Sequence, residues 1–145
     1  MAANRGKEFE DLFKKFCEDT HVNCIRFYDV MQGFKSVNNP CDFVISKDRF
    51  SFSLLVECKS TNSTSFSLKF RQHDLLVNLD NFNSVVLIWF IKRKEIWSLS
   101  IQNILQMEKD GINSFNPVKH QKYGQRITTT FARVKPIFMD VLELW

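Results

Sequence analysis

Several scarcities narrow the chemistry open to this chain. Glycine occurs only 4 times in 145 residues, which argues against a glycine-rich loop that cradles phosphate through bare backbone amides. The 4 cysteines are Cys17, Cys24, Cys41 and Cys58, and no two share a C-x-x-C spacing. That pattern argues against a zinc or iron–sulfur site. Long apolar runs are missing too, since none approaches the roughly 20 residues of a membrane span. The first residues, MAANRGKEFED, are polar and charged, unlike a secretory leader. The expectation is a cytoplasmic protein with no membrane partner and with reduced thiols, most of them buried as small hydrophobes.

What is present fits one compact domain over residues 1–145. Hydrophobic residues make up 44% of the chain, enough for a real core. Phe occurs 15 times, so that core is expected to be aromatic-rich. The formal charge is +4 and the isoelectric point about 8.9. This suits a polyanionic partner but does not demand one, because many soluble proteins are equally basic.

Apolar spacing predicts an amphipathic helix from Gly6 to Thr20, with Phe9, Leu12, Phe13, Phe16 and Cys17 on one stripe. Glu8 and Glu10 fall on opposite borders of that stripe. Cys24 to Tyr28 is a short strand candidate, Met31 to Pro40 a loop, and Asp42 to Ile45 a strand. Lys47-Asp48-Arg49 turns the chain into a further strand, Phe50 to Lys59. Ser60 to Ser67 reads as a loop, and Leu68 to Leu79 as a helix. Ser84 to Ile91 is nearly all apolar and predicts a buried central strand. Ile96 to Leu99 reads as its partner, and Ser100 as the cap of a helix ending near Gly111. Ile112 to Gln125 reads as irregular, Ile127 to Phe131 as a strand, and Phe138 to Trp145 as a short helix. The apolar stretch Pro136 to Trp145 would pack on the core or on a partner. The order predicts an α/β fold, a mixed central sheet flanked by helices.

One constellation carries chemistry. Pro40-Cys41-Asp42 precedes Glu57-Cys58-Lys59 by fourteen intervening residues. The side-chain period of two sets Glu57 and Lys59 on one face of their strand. Two opposite charges ending an otherwise apolar strand are unusual packing residues. If the two strands form a hairpin, Asp42 and Glu57 converge, and close carboxylates repel and raise a pKa. A hard divalent cation such as Mg2+ relieves that repulsion. Lys59 then stands beside the cation, ready to orient or deprotonate an attacking water. The plainer alternatives are an exposed ion pair on an edge strand for Glu57 and Lys59, and a turn residue for Asp42.

The arrangement resembles the PD-(D/E)XK nucleases, whose core runs helix, three strands, helix, strand. Further residues resemble Holliday-junction resolvases of the RecU type. Gly6 is followed four positions later by Glu10, Glu57-Cys58-Lys59-Ser60-Thr61 matches the strand signature, and Ser65-Phe66-x-Leu68 leads to Gln72 and Leu76. The resemblance covers roughly Arg5 to Ile91. It implies a restriction-endonuclease-like core of order α-β-β-β-α-β. It also implies that Asp42 and Glu57 hold Mg2+, with Mn2+ as a substitute and the Cys58 carbonyl as a further ligand. Lys59 would position the water. Glu10 would complete the metal site or stand just behind it, with Glu8 as its rival. Gln72 would orient Lys59 or contact DNA. A homodimer cutting a four-way DNA junction symmetrically is implied as well. RecU proteins carry a long stalk ahead of the motif aspartate, whereas only thirteen residues separate Tyr28 from Asp42 here. A short or missing stalk resembles the compact archaeal and viral resolvases.

Candidates for DNA contact are Lys7, Lys35, Thr61, Ser63, Thr64, Ser65, Lys69 and Arg71, with Lys119, Lys122 and Arg126 behind them. Lys69 and Arg71, beside the helix of Gln72, are the best of these. His73, next to Gln72, is a candidate for phosphate contact, with plain surface exposure the commoner outcome for such a residue, and His21 and His120 show no partner pattern. The alternatives within and beyond the enzyme class are a restriction-like or repair nuclease acting on duplex DNA and a non-catalytic nucleic-acid-binding module.

Overall fold

The structure, a computed structural model, describes residues 5–27, 41–46, 53–79, 83–127, 129–132 and 135–141. The predicted loop Met31 to Pro40, the turn Lys47 to Arg49, the stalk region and Lys35 lie outside them.

Helix α1 (Arg5–Asp19) leads into strands β1 (Asn23–Arg26), β2 (Phe43–Ser46) and β3 (Leu54–Thr61). Strand β4 (Phe66–Ser67), helix α2 (His73–Asn78) and strand β5 (Asn83–Phe90) follow. Then come β6 (Glu95–Ser100), helix α3 (Ile101–Lys109) and the short strands β7 (Ser114–Phe115), β8 (Gln125–Ile127), β9 (Thr129–Ala132) and β10 (Lys135–Phe138). The main sheet has six strands in the order β1-β2-β3-β5-β6-β8. β3 and β5 run parallel and the other neighbours antiparallel. The sheet is therefore mixed, as expected.

Both faces of the sheet are covered, which explains why β5 is apolar on both sides. On one face, Phe9, Phe13 and Cys17 of α1 recur at intervals of four and pack on Phe43, Val56, Cys58, Leu87 and Trp89. Truncating a fully buried Phe here to Ala would cost about 3–5 kcal/mol. Phe138 joins them, with its ring centroid 5.3 Å from Phe9 and 5.4 Å from Phe13. On the other face, Leu76 of α2 and Ile101, Ile104 and Met107 of α3 cover Leu55, Val86, Ile88 and Leu99.

The Ser100 hydroxyl caps α3 by accepting from the Asn103 amide at 3.1 Å. Gly111, with φ +81°, ends it: the left-handed turn lets the Ile112 amide reach the Met107 carbonyl at 2.8 Å.

Several expectations need correction. The helix predicted from Leu68 starts only at His73, because β4 pairs with β7 and the Leu68 amide donates to the Asn113 carbonyl at 3.0 Å. Those distant partners remove the backbone from a helical path, and they place a strand inside the predicted Ser60–Ser67 loop. Phe138 is not a helix start. It ends β10, where alternation buries Pro136 and Phe138, and residues 142–145 lie outside the described set. The predicted strand Ile127 to Phe131 is divided between β8 and β9. β3 lies inside the sheet between β2 and β5, so the plain reading of Glu57 and Lys59 as an edge-strand pair fails. No helix among the described residues is long and apolar enough to cross a membrane. Cys17, Cys41 and Cys58 are buried, Cys24 is half-buried, and all four are free thiols.

Candidate active site

The register of β2 on β3 ends with Phe43 opposite Val56, and one step further brings Asp42 across from Glu57. The chain holds this end firmly. The Phe27 amide donates to the Asp42 carbonyl at 2.8 Å, and the Asp42 amide to the Val56 carbonyl at 3.1 Å. The Asp42 side chain in turn accepts from the Cys58 amide at 2.8 Å. The aspartate is thus fixed by the strand it faces.

Glu57 is only 1% exposed. Its Oε1 lies 3.4 Å from Nζ of Lys59, while its Oε2 is buried with no hydrogen-bond partner. Burial, followed by the charge of Asp42, pushes its carboxyl up to about 9, against the opposing pull of Lys59. Glu10 reaches Asp42 from α1. Burial and the facing Asp42 carboxyl push Glu10 up to about 7, and Arg26 offsets this in part. Asp42 therefore stands between two acids. Glu8, the rival of Glu10, forms an ion pair with Arg5 at 2.8 Å.

Among the described residues, no three histidine, cysteine or acidic side chains are arranged to hold a metal ion by themselves. Mg2+ needs fewer, because one or two carboxylates with water and substrate phosphate complete its shell. A buried glutamate oxygen without a donor, facing a second carboxylate, is a ligand set with unmet lone pairs. Asp42 and Glu57 fit a hard divalent cation on this ground. The Cys58 carbonyl lies on the backbone between Glu57 and Lys59, while the Cys58 side chain points into the α1 core.

Gln72 directly precedes α2, and its Oε1 is also buried without a partner. Thr61 ends β3, and its hydroxyl accepts from the Ser63 amide at 3.0 Å. The Ser63 hydroxyl accepts from the Ser65 amide at 3.4 Å. Ser63, Thr64, Lys69 and Arg71 are exposed along this side. Lys7 lines a separate groove on the outer side of α1 with Asp11, Lys15 and Lys135. Arg126 sits on β8 at the far edge of the sheet, near Glu95.

Three residues make contacts that stand out only in the structure. Arg26 reaches Glu10 at 3.8 Å and Asp11 at 2.8 Å. Phe70 lies against Lys59. His73, expected on the surface, has a side chain only 14% exposed and bridges Asp74 and Glu108. Period and spacing gave no signal for these contacts, because all but the one between His73 and Asp74 join separate elements.

No family model matches the sequence, and no curated protein does either. The chain is similar to Hjc of Archaeoglobus fulgidus, described as a Holliday junction resolvase from an archaeal hyperthermophile. The TM-score is 0.55 at 19% identity, over 81% of this chain and 91% of that one. The fold is restriction-endonuclease-like. At this identity the likeness speaks for architecture, and the chemistry must rest on the residues themselves.

Proposed function

We propose that this chain is a metal-dependent endonuclease that resolves four-way DNA junctions, a compact relative of the RecU-type PD-(D/E)XK resolvases. The observation that carries the reading is the adjoining trio of Asp42, just before β2, and buried Glu57 and Lys59, within β3. The shared fold with a protein described as a junction resolvase supports it.

Asp42 and Glu57 would hold Mg2+ or Mn2+, with the Cys58 carbonyl as a further ligand and Glu10 beside Asp42. Such an ion lowers the pKa of bound water and offsets charge on the scissile phosphate. Lys59 orients the attacking water and supplies positive charge near the phosphate. Gln72 aligns Lys59 or meets the DNA. Lys69, Arg71 and the Thr61–Ser65 segment grip the backbone, with Lys7 and Lys35 as outlying contacts. A homodimer in the cytoplasm of a bacterium or phage-infected cell would make paired cuts, because its two active sites are related by a two-fold axis.

The test is cleavage of a labelled four-way junction by wild type and Glu57→Ala, with and without Mg2+. The expected result is paired nicking by wild type with Mg2+ only. The variant should bind the junction and lose cleavage by about a thousandfold or more. Full activity in Glu57→Ala would sink the assignment. Preference for linear duplex would move the reading to a restriction-like or repair nuclease. Binding without cation dependence would mark a non-catalytic module.

A further inference from the structure

We infer that Phe70 is a positioning residue for Lys59, an inference that rests on the nuclease reading of that lysine. Lys59 Nζ lies 3.4 Å from Glu57 Oε1 and 6.0 Å from the centroid of the Phe70 ring, over its face. The lysine side chain is 26% exposed, so packing holds its stem in part and what its ammonium meets decides the rest. An ammonium is a point charge on a flexible stem and takes no fixed direction from a single carboxylate. A second contact is needed to define where it sits. The negative face of an aromatic ring supplies one without offering a proton or a charge of its own. That matters at this position, because a carboxylate that also serves a cation holds the ammonium less firmly. The ring face does not change.

Phe70 is itself held from two sides. Phe66 lies 5.8 Å away, and the His73 ring meets it edge-on at 5.9 Å and 81°. His73 is anchored in turn to Asp74 at 2.8 Å and to Glu108 of α3 at 2.5 Å. A continuous line of contacts thus runs from α3 through His73 and Phe70 to the ammonium. The ring belongs to the turn before α2, so this turn and β3 meet at the lysine.

The experiment uses the full chain as wild type, Phe70→Leu, Phe70→Tyr, Lys59→Gln and the Phe70→Leu/Lys59→Gln double variant. Single-turnover cleavage of a four-way junction in Mg2+ is measured, with junction affinity measured separately. Side-chain resonances of Lys59 are followed by NMR in the absence of DNA and metal. Phe70→Leu should slow cleavage roughly tenfold, the rate equivalent of one cation–π contact, and leave affinity within about twofold. Phe70→Tyr should stay within about twofold of wild type. On the Lys59→Gln background the leucine change should have no further effect. Lys59 resonances should be ring-shifted upfield in wild type and Phe70→Tyr, and lose that shift in Phe70→Leu. An equal loss on the Lys59→Gln background would make Phe70 a packing residue and overturn the inference. So would unshifted lysine resonances or a fully active Phe70→Leu. If wild type cuts no DNA, the nuclease reading fails by itself, and the lysine–ring contact stands or falls on the resonances.

Discussion

The Asp42 carboxylate accepts a hydrogen bond from the Cys58 amide at 2.8 Å, so the acid just before β2 is tied to the backbone between the two charged residues of β3. One bond couples the local fold to the proposed chemistry. It lets the two roles of Asp42 be separated.

Asp42→Asn keeps an oxygen that can accept from Cys58 and loses the charge. Asp42→Ala loses both. The asparagine variant should be more stable than the alanine variant by about 1–2 kcal/mol, the cost of leaving a buried amide unpaired. Both should be inactive against junctions. Urea titration of the two proteins checks this, and equal midpoints would show that the bond contributes nothing.

Glu57 yields a pH-dependent prediction for the metal-free protein. Its carboxyl is raised from an ordinary 4.5 to about 9, chiefly by burial and then by Asp42. The folded state therefore holds a proton that the unfolded state gives up. The associated stability is fully present below about pH 4.5 and is lost as pH rises toward 9. Glu57→Gln removes the dependence and should be more stable at pH 8 by on the order of 2 kcal/mol. Saturating Mg2+ should restore wild-type stability by a similar amount, about 2.7 kcal/mol at a hundredfold excess over Kd. It should leave the variant unchanged. Thermal melts at pH 5 and pH 8, with Mg2+ and with chelator, provide the measurement.

His73 has the opposite chemistry and the same sign. Both ring nitrogens face carboxylate oxygens, Nδ1 toward Asp74 and Nε2 toward Glu108. Ionised carboxylates only accept, so both contacts together require the doubly protonated ring. Burial alone would lower the pKa of His73, but the two hydrogen bonds outweigh it and raise it above 6.5. The contribution is present below pH 6.5 and disappears as pH climbs through the folded-state value. His73→Gln should flatten this part of the stability profile and cost on the order of 1 kcal/mol at pH 5.5. An unchanged profile would mean that the bridge between α2 and α3 carries no weight.

The candidate trio of Asp42, Glu57 and Lys59 is legible in the sequence because strand periodicity is local. Alternation puts Glu57 and Lys59 on one face, and the apolar residues around them make charge conspicuous. Helix α1 is legible for the same reason, with Phe9, Phe13 and Cys17 at regular spacing. The start of α2 is not legible. What decides it is the pairing of Phe66 with Phe115, and no local pattern encodes a partner that distant. Arg26, Phe70 and His73 escape notice on similar grounds. Their roles come from Glu10 on α1, Lys59 on β3 and Glu108 on α3, which only the folded chain brings to them.

Lys69 and Arg71 are exposed beside Phe70 and His73, where they line a shared cavity with Asp74 and Glu108. If they meet the junction backbone, their contribution is counterion release, which has a defined salt signature. Each phosphate neutralised on duplex DNA adds about 0.9 to the slope of log affinity against log salt. The Lys69→Ala/Arg71→Ala protein should therefore lose close to two units of slope. It should bind much like wild type at high salt and considerably worse at low salt. The fold should not change, because neither side chain is in the core. Junction affinity measured across a salt series decides the matter. An unaltered slope would exclude the two cations from the DNA surface and move the grip to the Thr61–Ser65 segment.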